Sequence, residues 1–191
     1  MKRAMRQSRR QVMDPELICA MLDQMDTICV GIHDDPAPYV VPLNFGYVFE
    51  EGNFVFYFHC ARTGHKLDLL RQNPHVCVTA SRFISYAKGS VKGHMHDYQS
   101  VIARGVAQEI DQDLQPEAFK KALETLLIHN HRNASEADTP AAKWIQMWKI
   151  VCREEDVTAK AEIMPHSADE VDFAPPIADG IPLDESHILD M

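Results

Sequence analysis

The stretch Phe56-Tyr57-Phe58-His59-Cys60-Ala61-Arg62-Thr63-Gly64-His65-Lys66 carries the densest chemistry in the chain. An aromatic strand ends, a glycine turns the backbone, and a helix begins. Free N–H groups at a helix start, the positive end of its dipole, Lys66 and Arg62 converge there, and that combination suits a phosphate. The GxxxxGK[ST] spacing of a P-loop is missing. A surface turn with solvated basic residues fits the same spacing, so both readings stay open. His59 closes the strand just before this turn and is the histidine best placed to meet a ligand. Its ordinary pKa of about 6.5 makes proton transfer near neutral pH chemically accessible.

A second stretch, Tyr39-Val40-Val41-Pro42-Leu43-Asn44-Phe45-Gly46-Tyr47, interrupts an apolar strand with Pro, Asn and Gly. Asn44 can donate and accept, as recognition of a heterocycle edge requires. Pro42 cannot donate to a ladder, which implies a sheet edge, a bulge or a ligand-facing position. A barrel strand with a bulge would look the same. His94-Met95-His96 and His129-Asn130-His131 are HxH pairs. On one strand such residues share a face and can chelate a metal. Both pairs fall near a loop or a helix end with no placeable Cys or carboxylate partner, so no metal site is expected. No Ser-His-Asp or Cys-His arrangement has a nucleophile context.

These residues need elements to hold them. Asp14-Pro15 is an N-cap followed by Pro at the first helical position, and apolar residues from Leu17 to Met25 share one face, which predicts a helix over 15–25. Strands are predicted over 27–33, 39–48 (with Pro42 inside), 54–60 and 75–81, with a hairpin turn at Glu50-Glu51-Gly52-Asn53. Residues 63–72 read as a short helix with Thr63 as N-cap, stopped by Asn73-Pro74. Residues 83–97 read as a loop and 98–110 as a long strand in which Gly105 marks a bulge. Pro116–His129 is an amphipathic helix presenting Phe119, Ala122, Leu123, Leu126 and Leu127. A polar loop over 130–138, a short helix from Thr139-Pro140 to Trp144, and a last strand from Met147 that resumes near Val157 complete the chain. About six short strands with flanking helices favour an antiparallel sheet, closed or half closed into a barrel, over alternating βαβ units.

The chain has 191 residues and a net charge of −9. Residues 161–191 hold eight acids and no Lys or Arg, which leaves −1 for the rest. The low charge belongs to an acidic, Pro-containing tail from residue 165, expected to be disordered or draped over a partner. The first ten residues carry five positive charges, so 1–13 reads as a basic arm and 14–164 as the domain. This balance argues against nucleic acid as a partner. No stretch approaches the roughly 20 apolar residues of a membrane span, and no signal peptide is visible, which makes a cytoplasmic location the expectation. The five cysteines form no CxxC and read as buried free thiols in a reducing compartment.

The order of the pieces adds a resemblance. Pro42-Leu43-Asn44-Phe45-Gly46-Tyr47, then Tyr57-Phe58-His59, then Gly64-His65-Lys66 with Asn73-Pro74, then Tyr98-Gln99-Ser100-Val101-Ile102 with Gly105, resembles the pyridoxamine 5'-phosphate oxidase-related flavoproteins. Within that superfamily the chain looks most like the nitroimidazole-resistance (Nim-type) branch, over residues 8 to 163. The resemblance implies a six-stranded split β-barrel that forms a homodimer and binds FMN in a groove at the dimer interface. By motif position Pro42, Leu43 and Asn44 would lie along the isoalloxazine ring, with Tyr57 and His59 lining the same groove. Arg62, Thr63, Gly64, His65 and Lys66 would meet the phosphate, and Ser100 would reach the flavin region from a neighbouring strand. The family often has a basic residue where this chain has Gln99, Ala103-Arg104 before Gly105 is atypical, and the pyridoxal-phosphate substrate motifs of the true oxidases have no match. The resemblance thus implies an FMN-dependent oxidoreductase, a reductase of a small electron-poor molecule. A reduced nicotinamide or flavin would be the donor, and His59 would donate a proton or orient substrate. Two alternatives stand beside it. One is a haem-binding or haem-handling split barrel with His59 or another histidine as axial ligand. The other is a non-catalytic flavin-binding or regulatory module.

Overall fold

A computed structural model describes residues 5–86, 96–139 and 144–161. The acidic tail, His94 and the span 140–143 of the expected short helix lie outside the described residues. Among the described residues nine strand segments occur: β1 (Gln11–Val12), β2 (Thr27–Ile32), β3 (Tyr39–Asn44), β4 (Gly46–Glu50), β5 (Asn53–Cys60), β6 (His75–Tyr86), β7 (His96–Ile110), β8 (Gln146–Arg153) and β9 (Val157–Ala161). The helices are α1 (Pro15–Leu22), α2 (His65–Gln72) and α3 (Pro116–His129). Two pairs of segments are single runs with one interruption: β3 and β4 break at Phe45, and β8 and β9 break at a 3-10 turn over Glu154–Asp156. With the two-residue β1 set aside, six long runs remain, as a split barrel requires.

The ladders are all antiparallel, in the order β3-β2-β6-β7-β8-β5-β4. The two ends of this order, β3 and β4, are consecutive in the chain and separated only by Phe45. The sheet therefore curls until its ends meet covalently, while no ladder joins them. β7 pairs with β6 along most of its length. On its other side it pairs with β9 through Gln99–Ala103 and with β8 through Val106–Ile110. β9 also takes in β1, so the arm's Gln11 and Val12 belong to the sheet.

Gly105 sits where β7 changes partner. It stays in register opposite Val76, so the expected bulge is absent there. A Cβ at Gly105 would lie 2.5 Å from the Val151 carbonyl and from Cys152 Sγ. The glycine serves close approach of a third strand. The irregularity lies instead between Phe83 and Ser85, because β6 continues to Tyr86 through residues expected to be loop. Pro42 does occupy an edge: β3 pairs only with β2, Pro42 facing Cys29.

Alternation divides the burial. Phe54, Phe56 and Phe58 of β5 enter the main core with Ile28, Val30, Val78 and Ile150. Val55 and Tyr57 point the other way, into a second cluster beneath Phe119, Ala122, Leu123 and Leu126 of α3. α1 is capped by Asp14, whose Oδ1 accepts from the Glu16 N–H at 2.9 Å, and it buries Ile18, Met21 and Leu22. It ends at Leu22, one turn short of the prediction, and Met25 is buried from the following loop. The 50–53 hairpin turn has positive φ at Glu51 (52°) and Gly52 (72°), which matches strand twist.

The thiol expectation needs correction. Only Cys152 is buried; Cys77 is exposed and Cys19, Cys29 and Cys60 are half-buried. Cys29 and Cys77 occupy strand positions between inward-facing Ile28, Val30, Val76 and Val78, so the pleat turns them outward. The outward face they share runs Pro42–Cys29–Thr79–Ile102 in one row and Val40–Gly31–Cys77–Arg104 in the next. Val40 is 59% exposed and Ile102 43%.

A second close contact, between β4 and α3, is backbone on backbone. A Cβ on Gly46 would lie 2.6 Å from the Thr125 carbonyl and 2.7 Å from the Leu126 Cα. Neither neighbour can swing aside, so Gly46→Ala must lift α3 from β4. Overpacking of this kind costs roughly 1–3 kcal/mol. We expect a loss near the upper end, read as a lower urea midpoint with an unchanged m-value.

Candidate functional site

Gly46 fixes where α3 lies, and α3 in turn walls a cavity of about 350 Å³. Asn44, the last residue of β3, and His59, near the end of β5, enter from the sheet. Leu123, Leu126 and Leu127 of α3 and Ile145 supply apolar walls, and Asn130, Arg132, Glu136 and Thr139 add polar groups after the helix. Two residues singled out from sequence thus meet in one hollow. A larger hollow, about 860 Å³, lies on the outward sheet face around Gly31, His75, Cys77, Arg104 and Gly105 and contains none of the predicted site residues.

The segment after the helix is held by side-chain-to-backbone bonds. Asn130 Nδ2 donates to the carbonyls of Phe45 and Leu126, both at 2.8 Å. The Phe45 carbonyl therefore bonds to α3's C-cap residue, and this is why the predicted 39–48 strand breaks there. His129 Nε2 meets the Met25 carbonyl at 2.7 Å, so that ring nitrogen must donate, and the ring packs against Phe45 and Tyr47. His131 is exposed with φ 57°. This HxH pair is thus split between a backbone anchor and solvent, and no group of three His, Cys, Asp or Glu could hold a metal among the described residues.

Tyr57 is 5% exposed and packs under α3, so it supports the cavity from behind. Leu43 turns inward against the main core and offers only its backbone, while Pro42 and Asn44 face outward. Asn44 Nδ2 donates to the Asp26 carbonyl at 3.2 Å. Ser100 is half-buried, paired with Ser81 on one side and Lys160 on the other. Three strand spacings separate β7 from β3, about 14 Å, so Ser100 does not join Asn44 within one chain.

The turn into α2 differs from the expectation in one respect. Gly64, not Thr63, is the N-cap, with φ 141° and no side-chain cap bond. That φ favours glycine. The Leu67 and Asp68 N–H groups return to the Gly64 carbonyl, while those of His65 and Lys66 have no acceptor among the described residues. His65 is committed to Asp34 at 3.0 Å and stands edge-on to Tyr39. Arg62 reaches Gln112 at 3.4 Å, and the Lys66 ammonium lies 5.5 Å from the centroid of the Phe58 ring. Unpaired amides, a lysine and an arginine beside an aromatic strand form a donor set that fits a phosphate group.

Sequence reasoning missed Leu123, Leu126, Leu127, Asn130, Arg132, Glu136, Thr139 and Ile145 as cavity residues. The one legible signal was the spacing of Asn133 and Glu136. These form a capping box: Asn133 Oδ1 accepts from the Ser135 N–H, and Glu136 Oε1 accepts from the Asn133 N–H at 3.3 Å.

His59 and Lys66 are coupled. Desolvation first, and the Lys66 charge second, push the His59 pKa below its ordinary 6.5. The imidazole is neutral at neutral pH. Because the folded pKa lies below the unfolded one, the unfolded chain binds the proton more tightly; stability is intact above 6.5 and falls as pH drops below it. We expect Lys66→Met to raise the His59 pKa without restoring 6.5, since desolvation remains. An NMR titration of the imidazole checks both the starting direction and the rise.

No curated protein matches the chain. Among solved structures it is similar to a proposed 5-nitroimidazole antibiotic resistance protein from Bacteroides thetaiotaomicron, with 28% identity, TM-score 0.63, 78% of this chain covered and 85% of that one. It also resembles the flavocytochrome Anf3 from Azotobacter vinelandii (21%, TM-score 0.62, covering 85% and 73%). A FAD and haem binding protein from Mycobacterium smegmatis is similar as well (18%, TM-score 0.61, covering 84% and 78%). At those identities the last two show the shared fold. A family model described as pyridoxamine 5'-phosphate oxidase matches residues 14–158, from the α1 N-cap into β9. Split-barrel sheet, ordered motifs and family match agree, and the chain belongs to the pyridoxamine 5'-phosphate oxidase family.

Proposed function

We propose that the chain is an FMN-binding homodimer that reduces a small, electron-poor molecule. The observation that carries this reading is the route of β5. Its end places His59 at a cavity shared with Asn44, and the next residues lead into the uncapped, cationic start of α2. One flavin lying along β3 would span both features. When bound, it supplies the electron transfer, drawn from a reduced nicotinamide or flavin donor. Arg62, Lys66 and the first amides of α2 bind the phosphate. Pro42 and Asn44 give the ring an outward-facing edge, and α3 excludes water from the far side. His59, neutral and without a hydrogen-bond partner among the described residues, orients substrate or relays a proton. Once its charge is supplied from solvent, the depressed pKa makes it a ready donor.

The homodimer is supported by the outward sheet face. Its two central rows expose Val40, Pro42 and Ile102 with only Arg104 charged, and Phe83, 52% exposed, adds to the patch. A second copy covering this face would bring its own Ser100 toward the flavin region. A haem reading also has a physical basis, since the larger hollow on this face is lined by His33, His75, Arg104 and Arg153.

An absorbance spectrum of freshly purified protein tests the reading first. Flavin bands are expected, and a Soret band in their place would move the assignment to haem. FMN should bind more tightly than riboflavin. Charge-assisted phosphate contacts contribute roughly 1.5–3 kcal/mol each, so Lys66→Ala should weaken FMN about ten- to a hundredfold. Equal affinities for the two flavins would overturn the phosphate site. Sedimentation should show flavin and dimer stabilising each other; a flavin-loaded monomer at micromolar concentration would contradict the shared groove.

A further inference from the structure

We propose that the hollow of about 860 Å³ on the outward sheet face is the docking site of the chain's own acidic segment 179–185, with Ile181 and Leu183 on its floor and Arg104 facing the acids beside them. The proposal is independent of the flavin reading, because the hollow contains none of the residues assigned to the flavin.

Four strands build the hollow. Gly31 of β2, Cys77 of β6, Val106 of β7 and Val151 of β8 give it a largely apolar floor. Two arginines stand at its edge, and they differ. Arg153 is bonded to Glu155 and Asp156. Arg104, exposed and directly across the ladder from Cys77, has no hydrogen-bond or ion-pair partner among the described residues. Arg104 is also a departure from the family pattern, and the flavin reading gives it no task. An apolar depression beside one uncompensated cation suits a segment that carries both apolar and anionic side chains.

The chain supplies such a segment in Asp179-Gly180-Ile181-Pro182-Leu183-Asp184-Glu185. In extended backbone Ile181 and Leu183 share a face. A residue before proline favours extended backbone and Pro182 has its φ fixed, so less conformational entropy is lost on docking. Asp179 lies on one side of the apolar pair and Asp184 and Glu185 on the other. Residues 161–191 contain no Lys or Arg, so no cation of their own competes with Arg104. The reach also fits. Ala161 pairs with Gln99, five residues before Arg104 on β7, or about 17 Å along the strand. A chain of the length from Ala161 to Ile181 has an r.m.s. reach of roughly 25 Å. Reach and span are comparable, the condition under which a tethered segment has an effective concentration in the mM range. A segment that binds as a free peptide at about 0.1 mM would then fill the hollow roughly nine-tenths of the time. The second copy proposed for this face would close over the docked segment.

The native thiols test this on the full-length protein. Cys77 lies in the hollow, Cys29 lies outside it on the same face, and Cys152 is buried. Their alkylation by iodoacetamide is followed peptide by peptide. Ile181→Asp combined with Leu183→Asp should raise the Cys77 rate about tenfold, as expected when a site nine-tenths filled is emptied, and leave Cys29 within about twofold. Cys152 that stays unreactive in the variant shows that the domain is folded. In a second variant, Leu183→Cys oxidised with diamide should join Cys77 within one chain, seen as a cross-linked peptide from a band of monomer mass. An unchanged Cys77 rate in the double variant would overturn the proposal. So would Cys77 and Cys29 rising together, which marks a second copy as the cover, or a cross-link that joins two chains. A Soret band with a Cys77 rate indifferent to the tail substitutions would give the hollow to haem instead. Flavin content is read on the same samples. Flavin-loaded protein with unchanged rates overturns the docking alone, and colourless protein with the expected rates overturns the flavin reading alone.

Discussion

The backbone of α3 rests on Gly46, and nearly everything at the candidate site follows from that contact. Any side chain at Gly46 would meet the Thr125 carbonyl and the Leu126 Cα within 2.7 Å, so the helix and β4 meet backbone to backbone with no room for a Cβ. One residue earlier, the Phe45 carbonyl leaves the ladder and accepts from Asn130 at the helix C-cap. The chain therefore crosses from one end of the sheet to the other beneath α3, clamped on both sides of the crossing. Asn44 lies immediately before the clamp, and Arg132 and Glu136 follow immediately after the helix. A shift of α3 would change the gap between its leucines and the sheet wall of Asn44 and His59.

A second glycine solves a different problem. β7 is the one strand that serves three partners, with β6 on one flank and β9 then β8 on the other. The handover needs a residue without a side chain, because the Val151 carbonyl and Cys152 Sγ stand where a Cβ would be. The consequence is a sheet curved enough to bury Phe45, Phe54 and Phe58 inside. The same sheet keeps an outward face of small and apolar residues around Cys29, Cys77 and Ile102.

Much of this was legible because local signals agreed with the fold. The α3 bounds followed from Pro116 and the apolar spacing through Leu126, and Asp14-Pro15 marked the start of α1. Pro42 left a sheet edge, a bulge or a ligand-facing position open, and the fold uses the edge, where no second partner strand needs its missing N–H. Gly46 was read as letting another group come close, and the α3 backbone does so; Gly105 was read as a bulge and instead accommodates a third strand. Sequence shows that a side chain is missing, not what occupies its space. Thr63 is a better cap by type than Gly64, but the backbone needed a φ of 141°, which overrides the hydroxyl. The cavity wall was hidden for a similar reason. Leu123, Leu126 and Leu127 read as an ordinary core-facing stripe, and only the position of the helix over His59 and Asn44 turns part of it into a ligand surface.

Lys66 and His59 show how one charge can serve two purposes. Lys66 lies at the start of α2 with its ammonium over the Phe58 ring, and its field reaches back along β5 to depress the His59 pKa. An anion bound at the helix start compensates that field, so less of the depression remains and the imidazole takes up a proton more readily. By linkage the reverse also holds: protonating His59 places a second positive charge near the same anion and tightens its binding. Desolvation is the larger cause of the shift and does not depend on Lys66, so that part of the depression persists when the lysine's charge is compensated. The coupling thus ties protonation of His59 to the presence of an anion at the start of α2.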